Sequence, residues 1–116
     1  MKVLCQEEGK SITLSLRGEL DHHAARPAMK EIIQALDTRL PRHCVLDFGG
    51  VDFMDSSGIA VVLNTHRRLQ ELGGALELDH VKPQAGRVFS AAGVDRIVNI
   101  RGLAAGRGAS GAPMKK

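Results

Sequence analysis

The sequence predicts a single α/β domain built on a mixed β-sheet, in the order β-β-α-β-α-β-α-β, with an N-terminal hairpin and helices packed on the sheet. Three observations carry this fold class. Apolar residues alternate with polar ones at the start of the chain, where Val3 and Cys5 are followed, past Glu8-Gly9-Lys10, by Ile12, Leu14 and Leu16. Two later stretches carry apolar residues at helical spacing, separated by the short apolar run Cys44-Val45-Leu46-Asp47-Phe48. A length of 116 residues gives room for one core and no second domain.

The elements follow in order. Alternation with a period of two, interrupted by a Gly-containing turn, predicts a hairpin with one buried face. After Gly18-Glu19-Leu20-Asp21, residues Met29, Ile32, Ile33, Leu36 and Leu40 form one helical stripe, which Pro41 stops. An interior proline costs a helix about 3 kcal/mol, so Pro27 is expected near the start of the regular helix, with Asp21 to Arg26 as an irregular lead-in. Cys44 to Phe48, bounded by Gly49-Gly50, reads as a central strand buried on both faces. Gly49 to Met54 reads as a loop. Ile59, Val62, Leu63, His66, Leu69 and Leu72 then repeat with helical spacing until Gly73-Gly74. Ala75 to Leu78 alternates as a strand, Pro83 to Ala92 carries Ala85, Val88, Phe89 and Ala92 on one face, and Ile97 to Ile100 is a last short strand. The domain is expected to span residues 1–101. Residues 102–116, rich in Gly and Ala with no periodic apolar face, read as a mobile basic tail.

Composition narrows the function classes. The chain is 43% hydrophobic and 25% charged, as in ordinary soluble domains. Its net charge of +3 comes from the end of the chain, where Arg101, Arg107, Lys115 and Lys116 occur with no acid after residue 100, while residues 1–100 hold 12 basic and 13 acidic side chains. With no Trp or Tyr and three Phe, little is available for bases to stack on, and direct nucleic-acid binding is not expected. The longest apolar run, Gly58 to Leu63, is far shorter than the roughly 20 residues that cross a bilayer, and the acids of MKVLCQEEGK do not suit a signal peptide. A cytoplasmic protein without membrane association is expected. Cys5 and Cys44 form no CxxC and read as small apolar residues in strands.

Several apparent motifs carry no chemistry. Gly106 to Gly111 matches GxGxxG, but only five residues follow, so no helix can receive a pyrophosphate there. No HxxxH or CxxC places two metal ligands on one face, and no GxSxG elbow accompanies the Ser, His and Asp residues. No metal, cofactor or catalytic group is expected, and the chain does not read as an enzyme.

The informative segment is Val51-Asp52-Phe53-Met54-Asp55-Ser56-Ser57-Gly58-Ile59. Helix capping alone accounts for Asp and Ser before an apolar stripe, because their oxygens accept from free N–H groups. Three features point beyond capping. The segment follows a central strand at its carboxyl end, where open α/β sheets hold functional loops. Phe53 and Met54 precede the cap, so that one can anchor inward while the other meets a partner. No Lys or Arg lies between Arg42 and Arg67, so Asp52, Asp55 and, if it faces the same way, Asp47 predict an acidic surface around Ser56.

Gly18-Glu19-Leu20-Asp21-His22-His23, then Val45-Leu46-Asp47-Phe48, then Phe53-Met54-Asp55-Ser56-Ser57-Gly58 resemble the anti-sigma factor antagonists of the STAS domain class, and most closely their sporulation branch. Leu72-Gly73-Gly74 and Val88-Phe89 through Gly93 continue the likeness, which covers residues 1 to about 100. The resemblance implies a STAS-like domain that binds an anti-sigma factor, itself an ATP-dependent serine kinase, and so releases a sigma factor. It implies phosphorylation at Ser56, with Ser57 as the fallback, and resetting by a metal-dependent serine phosphatase. The partner-binding surface it implies comprises Glu19, Asp21, His22, His23, Asp52, Phe53, Met54, Asp55, Ser56, Ser57 and Gly58. Family members usually close with another helix after the last strand, where this chain has its Gly/Ala-rich segment. A general-stress antagonist, or a STAS subunit that scaffolds a larger assembly, keeps the same fold. A nucleotide-binding protein or serine hydrolase is the rival from another class.

Overall fold

The computed structural model describes residues 1–101; the Gly/Ala-rich segment 102–116 and its GxGxxG match lie outside them. The elements are β1 (Lys2–Glu8), β2 (Ser11–Leu20), α1 (His22–Arg39), β3 (His43–Met54), α2 (Ser57–Glu71), β4 (Ala75–Asp79), α3 (Pro83–Ala91), a 3-10 turn (Val94–Arg96) and β5 (Asn99–Ile100). The strands form one sheet in the order β1-β2-β3-β4-β5, with β1 antiparallel to β2 and every other pair parallel. A hairpin thus leads into parallel crossover units, as the alternating pattern predicts.

One pleat face holds the core. Ile12 pairs with Cys44 and Cys44 with Leu76, while Leu14 pairs with Leu46 and Leu46 with Leu78, so these side chains share a face. They join Ala28, Ile32 and Leu36 of α1, Val61, Val62 and Leu69 of α2, and Ala85 and Phe89 of α3 in one apolar cluster. Phe48 meets Phe89 edge to face, with centroids 5.3 Å apart. Thr65 lies fully inside, its hydroxyl donating to the Val61 carbonyl at 2.7 Å, so its polar atom is satisfied. The opposite pleat face carries Thr13, Ser15, Asp47, Glu77 and Asp79, and among the described residues no helix covers it. Val45 sits on that face yet is only 7% exposed, so β3 is central, but its second face is screened by neighbouring strands and not by a second core.

Several local expectations are corrected. The helix α1 starts at His22 and runs through Pro27. Asp21 nucleates it, its side chain accepting from the Ala24 N–H at 3.0 Å, and Pro27 faces solvent, where the unpaired His23 carbonyl can reach water. Leu40 leaves the stripe: it caps α1 in the left-handed conformation (φ 48°) and is 60% exposed. Cys5 is exposed because β1 is an edge strand, whereas Cys44 is buried in the centre and its thiol is pushed up to about 12 by that burial, with Cys5 adding. The buried stripe of α2 is Gly58, Val61, Val62, Thr65 and Leu69, rotated from the Ile59-Leu63-His66 line. The last strand shrinks to two residues because a 3-10 turn occupies Val94–Arg96, which leaves Ile97 exposed.

The largest difference is β3, which continues through Gly49-Gly50 to Met54. Its partner β2 reaches Leu20, and irregular steps between Ser15/Arg17 and Gly18/Glu19 keep the two strands paired to Leu20↔Met54. Gly50 permits this approach, because a Cβ there would stand 2.9 Å from the Leu16 carbonyl oxygen and 2.8 Å from Arg17 Cγ. Gly50→Ala is therefore expected to lower stability by about 1–3 kcal/mol. Urea unfolding of the two proteins measures it.

Candidate functional site

The carboxyl ends of β2 and β3 lie side by side, with Glu19 opposite Phe53 and Leu20 opposite Met54. Helix α1 leaves the first of these strands and α2 leaves the second, so both helices begin at the same edge of the sheet and run in the same direction. Each begins with N–H groups that have no partner in the helix. Asp55 serves both. Its Oδ1 accepts from the Ser57 N–H at 2.8 Å and its Oδ2 from the His22 N–H at 3.1 Å. The Ser57 backbone N–H, helped by the Ser57 hydroxyl and the His22 N–H, holds the Asp55 carboxyl below the ordinary aspartate range against partial desolvation. At the other end of the pair, Arg68 of α2 donates to Asp37 of α1 at 2.8 Å.

Ser56 follows in helical geometry (φ −63°, ψ −14°), makes no capping hydrogen bond and is exposed. The capping bond comes instead from Asp55, one residue earlier. Ser57 is half-buried and bound to Asp55 through its N–H. The two serines thus differ in exposure: Ser56 is exposed at the start of α2, where the helix end is positive, while Ser57 is half-buried.

Strand alternation, not a loop, separates Phe53 from Met54. Phe53 is 44% exposed, and Met54 is buried. Met54 lies under the first turn of α2, where only a glycine fits, since a Cβ on Gly58 would come within 2.3 Å of Met54 Sδ. The backbone of Met54 is gripped by Gln84 of α3. Its N–H donates to Gln84 Oε1 at 2.9 Å, and its carbonyl accepts from Gln84 Nε2 at 2.8 Å. β4 pairs with β3 only as far as Asp47↔Asp79, so the Gln84 amide takes the place of a strand neighbour at the end of β3.

The structure gathers the sequence-selected residues at one edge. Asp21 caps α1, exposed His22 and His23 meet edge-on at 5.7 Å, and beside them Asp52, Phe53 and Met54 end β3, Asp55 and Ser56 connect it to α2, and Ser57 and Gly58 begin that helix. The expected acidic surface is reduced by two findings. Asp47 faces elsewhere, accepting from the Gly49 N–H at 2.8 Å and lying 3.1 Å from His80 Nδ1. Lys82, from the turn before α3, stands 3.8 Å from Asp52. Gln84 and Lys82 were not selected from the sequence. They lie 30 residues from their partners, and neither sits in a pattern that marks it. Among the described residues, no group of three or more His, Cys, Asp or Glu could hold a metal ion.

A family model described as the STAS domain matches residues 3–102. The chain is 32% identical over 89 residues to the anti-sigma F factor antagonist of Paenibacillus polymyxa, across 77% of this chain and 76% of that relative. It is similar in structure to the anti-sigma factor antagonist SpoIIAA in its unphosphorylated form, with 27% identity and a TM-score of 0.73 over 85% of this chain and 87% of that one. It is also similar to the phosphorylated form of the Bacillus cell fate determinant SpoIIAA, with 27% identity and a TM-score of 0.66 over 85% of this chain and 90% of that one.

Two outcomes follow from this geometry. A carboxyl with a depressed folded pKa contributes stability above its unfolded value and loses it as pH falls through the folded one. Asp55→Asn should therefore be less stable than the parent at pH 6, and should lose less than the parent between about pH 4 and pH 2, as followed by thermal unfolding. Gln84→Leu strands two backbone groups and should cost about 1–3 kcal/mol. Amide exchange at Met54 should accelerate more than exchange in the core strands.

Proposed function

The chain belongs to the STAS domain family, and from that premise we propose that it is an anti-sigma factor antagonist, controlled by phosphorylation of Ser56. Its partner is an anti-sigma factor with ATP-dependent serine kinase activity, and its binding frees a sigma factor. A serine phosphatase resets the switch. The protein acts by binding and catalyses nothing itself. It works in the cytoplasm, and Asp21-His22-His23 favours a role in sporulation control.

The observation that carries this reading is the state of the Ser56 hydroxyl. Ser56 is exposed and its side chain makes no capping bond, three residues after the exposed Phe53. Ser57 is half-buried and its hydroxyl is engaged by Asp55, which favours Ser56 as the acceptor. Phosphorylation joins the Ser56 oxygen to the terminal phosphorus of ATP, with ADP leaving and the hydroxyl proton passing to the kinase. The fold tolerates the product, because two parallel helices present their positive ends to the new anion.

Magnitudes decide how the phosphate breaks the complex. It adds about −1.5 to −2 charges. At roughly 7 Å from one acidic group in water, that repulsion is only about 1 kcal/mol. A hundredfold loss of affinity needs about 2.7 kcal/mol. Ser56 therefore lies inside the partner footprint, where the bulk of the phosphate and the cost of stripping its water add to repulsion.

Incubation with the kinase and ATP should add one phosphate to the tryptic peptide spanning residues 43–67, and Ser56→Ala should abolish the gain in mass. Ser56→Asp should keep the circular dichroism of the parent while weakening kinase binding at least tenfold. Undiminished phosphate incorporation into Ser56→Ala would overturn the assignment.

A further inference from the structure

Between α1 and α2 runs an open groove of about 1010 Å³. Ala25, Met29 and Ile33 of α1 and Ala60 and Val61 of α2 make its apolar floor. His22 and Ser57 lie at its mouth, and Asp37, already engaged by Arg68, lies at its far end. Along the α1 rim stand Arg26 and Lys30, four residues apart and both exposed. Among the described residues, neither has a carboxylate within ion-pair distance.

We infer that this groove receives an amphipathic helix of the anti-sigma factor, with an apolar stripe facing the floor and acidic residues spaced three or four apart facing Arg26 and Lys30. The inference rests on the reading of Ser56 given above and names the part of the partner that docks beside it. Both walls are helices whose backbone groups, the first turn and the His23 carbonyl apart, are bonded along the helix axis, so the groove offers no N–H or C=O ladder to an extended strand. It can be filled only by side chains, and a helix presents a continuous apolar stripe along its length. From His22 to Asp37 the rim rises about 22 Å, the length of roughly four helical turns. A small amphiphile would leave a trough of that length largely open to water. The unmatched Arg26 and Lys30 fix the sign of the flanking charge and set its spacing to one helical turn. Ser57 lines the mouth and Ser56 precedes it by one residue, so a phosphate on Ser56 lies next to the entry of the docked helix, which joins the switch to the docking surface.

The test titrates the full-length protein against the anti-sigma factor of the same organism, by calorimetry at two salt concentrations. Arg26→Glu with Lys30→Glu should weaken binding at least tenfold and flatten its salt dependence. Ala60→Trp, which fills the floor, should weaken binding at least tenfold, while Arg87→Glu on α3 should stay within twofold. Circular dichroism verifies folding; should Ala60→Trp misfold, the exposed charge reversal decides. A photo-crosslinker at position 60 should capture a helical segment of the kinase that carries the acidic spacing, and capture of an extended segment overturns the inference. Binding by the charge reversal within twofold of the parent, alongside clear weakening by Ser56→Asp, removes the groove and leaves the Ser56 reading in place. No binding by the parent removes both.

Discussion

Two parallel helices that start side by side bring like ends of their dipoles together, an arrangement that favours an anion between them. Asp55 is that anion. One carboxylate accepts from the first turn of α1 and from the first turn of α2, and its depressed pKa reflects the N–H groups that surround it. Everything at the carboxyl edge of the sheet is arranged around this bridge. It sets the distance between the helices, and so the width of the groove that Arg68 and Asp37 close at the other end. It also occupies the capping position, which leaves the Ser56 hydroxyl unengaged.

Holding Asp55 in place requires support from below. β3 reaches Met54 only because Gly50 lets it pass close to Leu16 and Arg17 of β2. Beyond Asp47 the strand has no neighbour on the β4 side, and Gln84 supplies a single amide where a strand would have donated and accepted. Met54 then fills the space under Gly58, so the strand end and the start of α2 interlock. The result is a rigid frame with one free hydroxyl and one exposed aromatic ring at its rim. Such a frame suits a docking surface, because little ordering remains to be done when a partner binds.

Charge is distributed by face. On the uncovered side of the sheet, Asp47 lies 3.1 Å from His80, Glu77 lies 3.0 Å from His43, and Asp79 lies 3.4 Å from Arg101, so these carboxylates are engaged away from Ser56. Along α1 the balance is reversed, with Arg26 and Lys30 lying beside apolar Met29 and Ile33. An acid-rich stretch in the sequence therefore does not translate into an acid-rich surface: Lys82 arrives from a distant turn, and alternation along β3 sends Asp47 to the far face.

The hydrophobic periods of two and 3.6 determined the element order, the hairpin, the central position of β3 and much of the core, because local spacing fixes which side of an element is apolar. That Asp52 to Gly58 come together at one edge of the sheet was legible for the same reason, since capping chemistry and the strand end that precedes it are contiguous in sequence. What tertiary structure alone decided is each feature that depends on groups far apart in the chain. The length of β3 hung on a partner strand 32–34 residues earlier, the passage of α1 through Pro27 on a cap and an exposed face, and the grip on Met54 on a glutamine 30 residues later. Asp55 stands out among these: the sequence marks it as a cap for the helix that follows, but only the parallel packing of two helices turns it into a bridge, because the second donor comes from 33 residues away.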